Sequence, residues 1–287
     1  MPVITANEAE TLLPLFKGKA GHALFRAALK LTAVDHVNDT HSKLEGMGLS
    51  GPDFAAGILD DIDIDYSIGN PERIGDFPEG PFITVSNHVY GHIDGIMLVD
   101  LVGHIRPNVK VMVNELLMKI RGLAPSFISV NPTLSEKKAA TAQSINGVKQ
   151  ALLQIRSGEP LCLFPSGAVS DLKPREHWTI SDRSWQDAAI KLIKKAHVPV
   201  IPIRFFDRNS MFYYLLGLID YRVRLVRLFH EMYNKRGTSP RLGIGEIITP
   251  EQQDACKDLD ELNSLLRSGV YDMPLPEHYL KRSELSL

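Results

Sequence analysis

The sequence is poor in cysteine and has no marked excess of either charge. Its 287 residues include 2 cysteines and no metal-binding cysteine spacing, so a disulfide framework or zinc cluster is excluded and a reducing compartment is the simplest inference. Cys162 lies in the apolar run 161–164, which predicts a buried thiol. The 32 Lys and Arg against 34 Asp and Glu give a net charge of −2, which argues against a nucleic-acid partner.

Long apolar runs are also missing. No stretch approaches the roughly 18 to 20 apolar residues that cross a bilayer, and residues 1–5 lack the basic and apolar regions of a secretory signal. Hydrophobic residues make up 44% of the chain and charged residues 23%, as in an ordinary globular protein. These features predict a soluble, cytoplasmic protein with a sizeable core.

Helical patterns fill the first sixty residues, and strands then alternate with helices. Helices are predicted at 5–16, 20–36 and 51–58. Strands are predicted at 62–68, 81–85, 108–113, 126–130, 161–164, 198–206 and 241–248, with helices at 135–157, at 185–196 and, as a last helix, after Thr249. We therefore expect an α/β fold with a mixed, largely parallel sheet flanked by helices. Residues 1–60 would form a helical N-terminal extension and residues 61–287 an α/β domain with a C-terminal helix.

A histidine and an aspartate follow the predicted strand 81–85. Asn87 precedes His88, and five residues separate His88 from Asp94. Open α/β sheets bind ligands where their strands end. A carboxylate bonded to one ring nitrogen leaves the other free to take a proton from a hydroxyl, which makes His88 a candidate general base. The alternative is that His88 caps a helix and Asp94 is a solvated surface group.

The second motif follows the predicted strand 161–164. Phe164, Pro165, Ser166 and Gly167 predict a tight turn whose backbone N–H groups face a developing oxyanion. An ordinary strand-to-loop turn is the alternative. A hydrolase with Ser166 as nucleophile would need a Gly-x-Ser-x-Gly elbow, but Phe164 stands where the first glycine should be.

Together the two motifs resemble those of the lysophospholipid acyltransferase superfamily, which includes 1-acylglycerol-3-phosphate acyltransferases. The longer spacing from His88 to Asp94, followed by glycine, looks like the hemolysin-like subgroup that acylates ornithine- and glycine-type aminolipids. The resemblance covers roughly residues 35–250. Further similar blocks are 114–117 with 127–132, 182–185, 198–203, 208–212 and 234–237.

This resemblance implies an enzyme, an O-acyltransferase, in which His88 deprotonates the acceptor and Asp94 orients the His88 ring. Substrate would contact Asn87 and the second motif, Phe164, Pro165, Ser166 and Gly167. The acyl donor would be a thioester of acyl carrier protein or coenzyme A, and no metal or other cofactor would be needed. His92, between the pair, is an ambiguity, and we favour His88 as the base.

Departures from the common pattern bear on the acceptor. Ser166 and Ala168 replace the usual glutamate and threonine, and no arginine stands near Val130. A lyso-aminolipid acylated on its 3-hydroxyacyl chain therefore fits better than a glycerol phosphate. Lys173 and Arg175, close to the second motif, would bind a headgroup, unless they form a solvated basic loop. A phosphate-acceptor acyltransferase and a non-catalytic lipid-binding protein are the alternatives.

A lysolipid acceptor requires peripheral contact with a membrane surface, at the inner face of the cell membrane. Two segments combine apolar residues with cations: 12–30, and 211–219 followed by the basic stretch 222–236. Such segments suit the lipid–headgroup boundary. The alternative is that both apolar stripes pack on the core.

Overall fold

A central eight-stranded sheet organises the protein, in a computed structural model that describes residues 34–130, 142–219 and 221–285. The strands of this sheet are β1 (Ser67–Gly69), β2 (Ile83–Ser86), β3 (Lys110–Asn114), β4 (Phe127–Val130), β5 (Leu161–Leu163), β8 (Val200–Phe205), β9 (Arg241–Ile244) and β10 (Tyr279–Lys281). A separate antiparallel pair consists of β6 (Asp171–Lys173) and β7 (Thr179–Ser181). The predicted helix at 5–16 and residues 20–33 of the predicted helix at 20–36 lie outside the described residues.

The sheet is mixed and mostly parallel, which confirms the predicted fold class. Its spatial order is β10-β1-β9-β8-β2-β5-β3-β4. Pairings of β1 with β10 and of β8 with β9 are antiparallel, and the other neighbours run parallel. Every residue of β2 is buried, as expected of a central strand covered on both faces.

Helices flank both faces of this sheet. They are α1 (Val34–Gly46), α2 (Gly51–Asp61), α3 (Ile93–Ile105), α4 (Ala142–Arg156), α5 (Asp187–Ala196), α6 (Met211–Ile219), α7 (Tyr221–Tyr233), α8 (Pro250–Asp254) and α9 (Leu259–Tyr271). The predicted cap at Thr249 is confirmed, since its side chain accepts the Gln252 N–H at 3.3 Å. The helix that follows is short, however, and the last helix, α9, has its own N-cap at Asp258.

Three apolar clusters form the core: a small one of Val169, Leu172, Tyr213, Tyr214 and Leu228, and two large ones, one on each side of the sheet. One joins α1, α2 and α3 to residues such as Phe82 and Cys162, and the other joins α4, α5 and α9 to Ile83 and Val85. Cys162 is fully buried, as predicted. Because Phe54 and Ile58 of α2 belong to the first cluster, the N-terminal helices help to build the core. A domain boundary at residue 60 stays a prediction.

Several elements differ from the prediction. The strand expected at 62–68 is reduced to β1, although Ile62, Ile64 and Tyr66 are buried before it. Helix α3 was not predicted because it is apolar and buried on nearly every side, which leaves no amphipathic periodicity. In the part of the chain that the structure describes, no helix is both long and apolar enough to span a membrane.

Candidate active site

The two sequence motifs meet at one edge of the sheet. Strands β2 and β5 are parallel neighbours, with Val85 opposite Leu163, so both motifs follow the same carboxyl-terminal edge. The His88 and Phe164 rings lie with their centroids 4.2 Å apart and their planes 30° apart. The phenyl ring thus covers one face of the imidazole.

His88 is bonded to Asp94, as the spacing suggested. Nδ1 of His88 lies 2.8 Å from Oδ2 of Asp94, a side chain with 0% exposure. The same oxygen accepts the N–H groups of Tyr90 and Gly91 at 3.1 and 3.2 Å, and Oδ1 accepts that of Gly95 at 3.0 Å. Asp94 is in the first turn of α3, where the helix dipole favours a negative charge. It is therefore not the solvated surface group of the alternative interpretation.

His88 and Asp94 stabilise each other's charged forms. Burial opposes the charge on both groups, but the Asp94 carboxylate raises the pKa of His88 above its ordinary value. Burial likewise works against ionised Asp94, yet His88 and the backbone N–H donors hold the pKa of the Asp94 carboxyl below its usual range. An ionised Asp94 accepts the proton of Nδ1, so Nε2 is the acceptor in neutral His88.

A second buried carboxylate holds the backbone of His88. Oδ1 of Asp182 accepts the His88 N–H at 3.1 Å and the Ser170 hydroxyl at 2.6 Å. The N–H of Ser170 donates in turn to the His88 carbonyl at 2.7 Å. Burial raises the pKa of Asp182. The sequence gave no role to Asp182, which it marked only as part of a similar block, or to Ser170, which follows the second motif.

A buried polar cluster also supports the loop between His88 and Asp94. The Asn209 amide donates to the carbonyls of Val89 and Tyr90, both at 3.2 Å. Lys235 Nζ donates to Asn209 Oδ1 at 2.6 Å, and burial lowers the pKa of Lys235 to about 8. Both residues lie in blocks that the sequence analysis noted without a function. They fix the position of the segment whose N–H groups bond Asp94.

Two predicted substrate contacts are bonded to the chain itself. Asn87 donates to the Phe205 carbonyl at 2.9 Å and accepts its N–H at 2.8 Å, so its amide prolongs the pairing of β2 with β8. The Ser166 hydroxyl donates to the Ala168 carbonyl at 2.8 Å. The N–H of Gly167, expected to face an oxyanion, donates to the Phe164 carbonyl at 2.9 Å within the turn. Gly167 has a φ of +64°, which favours glycine.

Neither Lys173 nor Arg175 is among the residues that line the cavity beside His88. Lys173 is in β6 and Arg175 is in the short helix Pro174–Glu176. Lys173 Nζ lies 3.3 Å from Glu176, and Arg175 is exposed. Neither contributes to the cavity described next, so sequence proximity to Gly167 did not place them there. A headgroup contact for them stays a prediction.

An apolar cavity of about 460 Å³ opens beside His88. Its wall combines residues from α1 to α5, from β3 to β5 and from the second motif. Apolar members include Ile58, Ile96, Met112, Leu117, Leu123, Phe127, Val148, Leu163, Phe164, Ala189, Leu192 and Met232. A cavity with this lining suits the hydrocarbon chain of a substrate.

Two further histidines, His92 and His41, line the cavity. Burial lowers the pKa of His92 to about 4, and it also lowers that of His41. Both therefore present neutral rings at neutral pH. Within the described ranges, no group of three His, Cys, Asp or Glu side chains is arranged to hold a metal ion.

A histidine bonded to a buried carboxylate on the wall of an apolar cavity is the arrangement expected of an enzyme that acts on a polar group of an apolar substrate. The chain belongs to the acyltransferase family, which it matches over residues 21–274. It is 30% identical over 231 residues to a lyso-glycine lipid O-acyltransferase of Phocaeicola vulgatus, with 78% of each chain covered. It is 28% identical over 244 residues to a protein of that name from Bacteroides thetaiotaomicron, with 83% of each chain covered.

Proposed function

We propose that the protein transfers a fatty acyl chain from a thioester to the hydroxyl of a lyso-aminolipid of the glycine type. The observation that carries this proposal is the 2.8 Å contact between His88 and Asp94 on the wall of the apolar cavity. The contact commits Nδ1 to the carboxylate and leaves Nε2 to act on the acceptor.

The chemistry needs only this pair and the two substrates. Nε2 of His88 takes the proton of the acceptor hydroxyl while the oxygen attacks the thioester carbonyl carbon. A C–O bond forms, the C–S bond breaks, and the thiolate takes the proton from His88. Asp94 stabilises the transient imidazolium, and general base catalysis of this kind contributes about 10²–10⁴-fold.

The lining of the cavity favours a hydroxyl carried on a hydrocarbon chain. Among the described residues that line the cavity, none is Lys or Arg. A glycerol phosphate would bring its phosphate close to the reacting hydroxyl, where an arginine fork would suit it. A 3-hydroxyacyl chain places its hydroxyl among methylene groups instead. The names of the two relatives specify O-acylation of a lyso-glycine lipid.

An assay with a palmitoyl thioester, with and without lyso-glycine lipid, tests the proposal. We expect thiol release that requires the acceptor, and a diacylated product that carries a new ester. Release without acceptor would indicate a hydrolase, and no release would indicate a lipid-binding protein. Lysophosphatidic acid is the competing acceptor, and its preferential acylation would contradict the assignment to an aminolipid.

We also infer that α6 contacts the inner surface of the cell membrane, where the acceptor would reside. This helix contains no charged residue. It exposes five large apolar side chains: Met211, Phe212, Leu215, Leu218 and Ile219. Arg208, three residues before the helix, is exposed, as suits anionic lipid. The other predicted segment, 12–30, lies outside the described residues.

Vesicle flotation tests this contact. Phe212→Ser with Ile219→Ser should reduce binding to vesicles that contain phosphatidylglycerol. The matched control is Leu275→Ser, which removes another exposed apolar side chain, 63% exposed and remote in sequence. Equal loss in both proteins, or no binding by the wild type, would contradict a role for α6.

A further inference from the structure

Arg224 is a buried cation within the basic stretch 222–236, which the sequence analysis assigned to a lipid surface. It lies in α7 and is 1% exposed, so that assignment is wrong for this residue. The ring of Tyr213, from α6, covers its guanidinium, with 5.3 Å between the ring centroid and Cζ. Arginine is seldom fully buried unless it is paired, so its partners indicate what it does.

The partners of Arg224 are three consecutive residues that follow the second motif. Its Nη2 lies 2.7 Å from Oδ1 of Asp171 and donates to the Val169 carbonyl at 2.9 Å. Its Nη1 donates to the Ser170 carbonyl at 3.1 Å. A planar guanidinium serves several acceptors at fixed angles, as the compact ammonium group of lysine does not. Arg224 therefore fixes the backbone of this segment.

Ser170 connects the segment to His88. Its N–H donates to the His88 carbonyl at 2.7 Å. Its hydroxyl donates at 2.6 Å to Asp182, the carboxylate that accepts the His88 N–H. Ser170 is itself fully buried, and its carbonyl is the group that Arg224 holds. The serine is thus bonded to the base on one side and to the guanidinium on the other.

We propose that Arg224 is a positioning residue for acyl transfer, because it fixes the segment that holds the backbone of His88 beside the cavity. This inference rests on the proposed function and adds a residue to it. Arg224 is not among the residues that line the cavity, so it acts through Ser170 and does not contact substrate. A displacement of about 1 Å at a reacting group can cost about 10²-fold in rate. Loss of the guanidinium should therefore lower kcat and leave KM nearly unchanged.

The charge of Arg224 provides a second, independent readout. Burial lowers the pKa of His88, whereas the carboxylates of Asp94 and Asp182 raise it above its ordinary value. The positive charge of Arg224 acts against them and lowers it. The neighbouring His92 is neutral at neutral pH, since burial lowers its pKa to about 4. Removal of the Arg224 charge should therefore raise the pKa of His88 and move the onset of activity to higher pH.

Two substitutions separate the geometry of Arg224 from its charge, in assays with a palmitoyl thioester and lyso-glycine lipid. Arg224→Met should lower kcat by about 10²-fold, with KM within about twofold of wild type, and should move the profile of kcat/KM to higher pH. Arg224→Lys keeps the charge and loses the fork, so kcat should fall by about tenfold while the profile stays in place. Asp171 keeps Arg183 as a partner in both variants, at 2.5 Å.

The matched control is Arg106→Met. Arg106 also donates to backbone carbonyls, those of residues 78–80 at 2.7–3.0 Å and that of Gly158 at 2.8 Å. These loops lead into β2 and β5, at the opposite end of the strands from His88. The variant should melt at a lower temperature and keep the kcat and the pH profile of the wild type.

Amide hydrogen exchange tests the positioning without acyl transfer. The N–H of His88 should exchange faster in Arg224→Met and at the wild-type rate in Arg106→Met. Equal losses of kcat in these two variants, or an unmoved pH profile in Arg224→Met, would overturn the proposal. If Arg224→Met does not fold, wild-type kcat in Arg224→Lys would overturn it. Faster exchange at His88 with no transfer by the wild type would refute only the proposed function, and transfer with unchanged exchange would refute the positioning.

Discussion

The loop that carries His88 and the wall of the cavity meet at helix α3, but they are held in different ways. Asp94, in the first turn, accepts three backbone N–H groups in addition to the His88 ring. Ile96, two residues later, faces the cavity among apolar side chains. Hydrogen bonds impose strict distances and angles on their partners, whereas apolar contacts tolerate changes of similar volume.

Because of this difference, we expect the bonded loop to determine the rate of the reaction and the cavity wall to determine which acyl chain is transferred. Substitutions in the bonded loop should abolish turnover for every substrate. Substitutions in the wall should change which chain is transferred and leave the reaction itself intact.

His88→Ala should cause the largest loss, about 10²–10⁴-fold in kcat, because it removes the proposed base. Acceptor-dependent thiol release measures it. The control is His104→Ala, which removes a partly exposed histidine of α3 and should keep wild-type turnover. Wild-type turnover in His88→Ala would refute the role of His88 as the base, and with it the distinction between the bonded loop and the cavity wall.

Asp94→Asn should cost about 10²-fold and change the pH dependence. In the wild type, Asp94 raises the pKa of His88, so activity should rise with pH through a value above about 6.5. Without the carboxylate, burial alone lowers that pKa, and the residual activity should appear at lower pH. Profiles of kcat/KM against pH measure the shift.

Asp100→Asn is the matched control for this shift. Asp100 is a buried aspartate of the same helix and accepts hydrogen bonds from Tyr66 and Arg282, both at 2.7 Å. Its substitution should lower the free energy of unfolding and leave the pH profile in place. A profile that moves equally in both variants would show that the effect is structural.

The central pair was predictable from the sequence because its parts are local. Strand β2 ends directly before Asn87, and the interval to Asp94 lets α3 return the carboxylate to the ring of His88. The parallel strands β2 and β5 then bring Phe164 to the same edge. These inferences need only strand ends and short spacings.

The residues that hold the His88–Asp94 pair in place were not predictable, because they come from segments that are distant in the sequence. Asp182 and Ser170 reach His88 from beyond the second motif, and Asn209 and Lys235 reach the loop from still later in the chain. No local pattern links them to His88. Lys173 shows the opposite case, because it follows Gly167 closely in sequence but lies in β6 and does not line the cavity.

Gly95→Leu should alter selectivity more than chemistry. Gly95 lines the cavity, and the nearest atom that a Cβ there would meet is Cε2 of Phe164, at 4.0 Å. A leucine would extend into the space beside His88. We expect kcat/KM for a palmitoyl donor to fall by about tenfold, a loss of roughly 1.4 kcal/mol of transition-state binding, with a smaller loss for an octanoyl donor.

Gly95→Ala is the control for size at this position. The methyl group has room, and alanine in place of glycine stabilises a helix by about 0.5–1 kcal/mol. The variant should keep both activities and melt at a higher temperature. An equal loss for palmitoyl and octanoyl donors in Gly95→Leu would mean that the wall and the bonded loop are not separable here.

His92→Ala should have the smallest effect, and it tests the boundary between the two regions. His92 precedes Asp94 by two residues, yet it lines the cavity and its pKa is lowered to about 4 by burial. A ring that stays neutral at neutral pH and lies farther along the wall belongs with the apolar lining, so most of the activity should survive. Rates measured beside those of His88→Ala decide this. Equal loss of activity in the two variants would mean that His92 takes part in the reaction. The residues needed for turnover would then include part of the cavity wall.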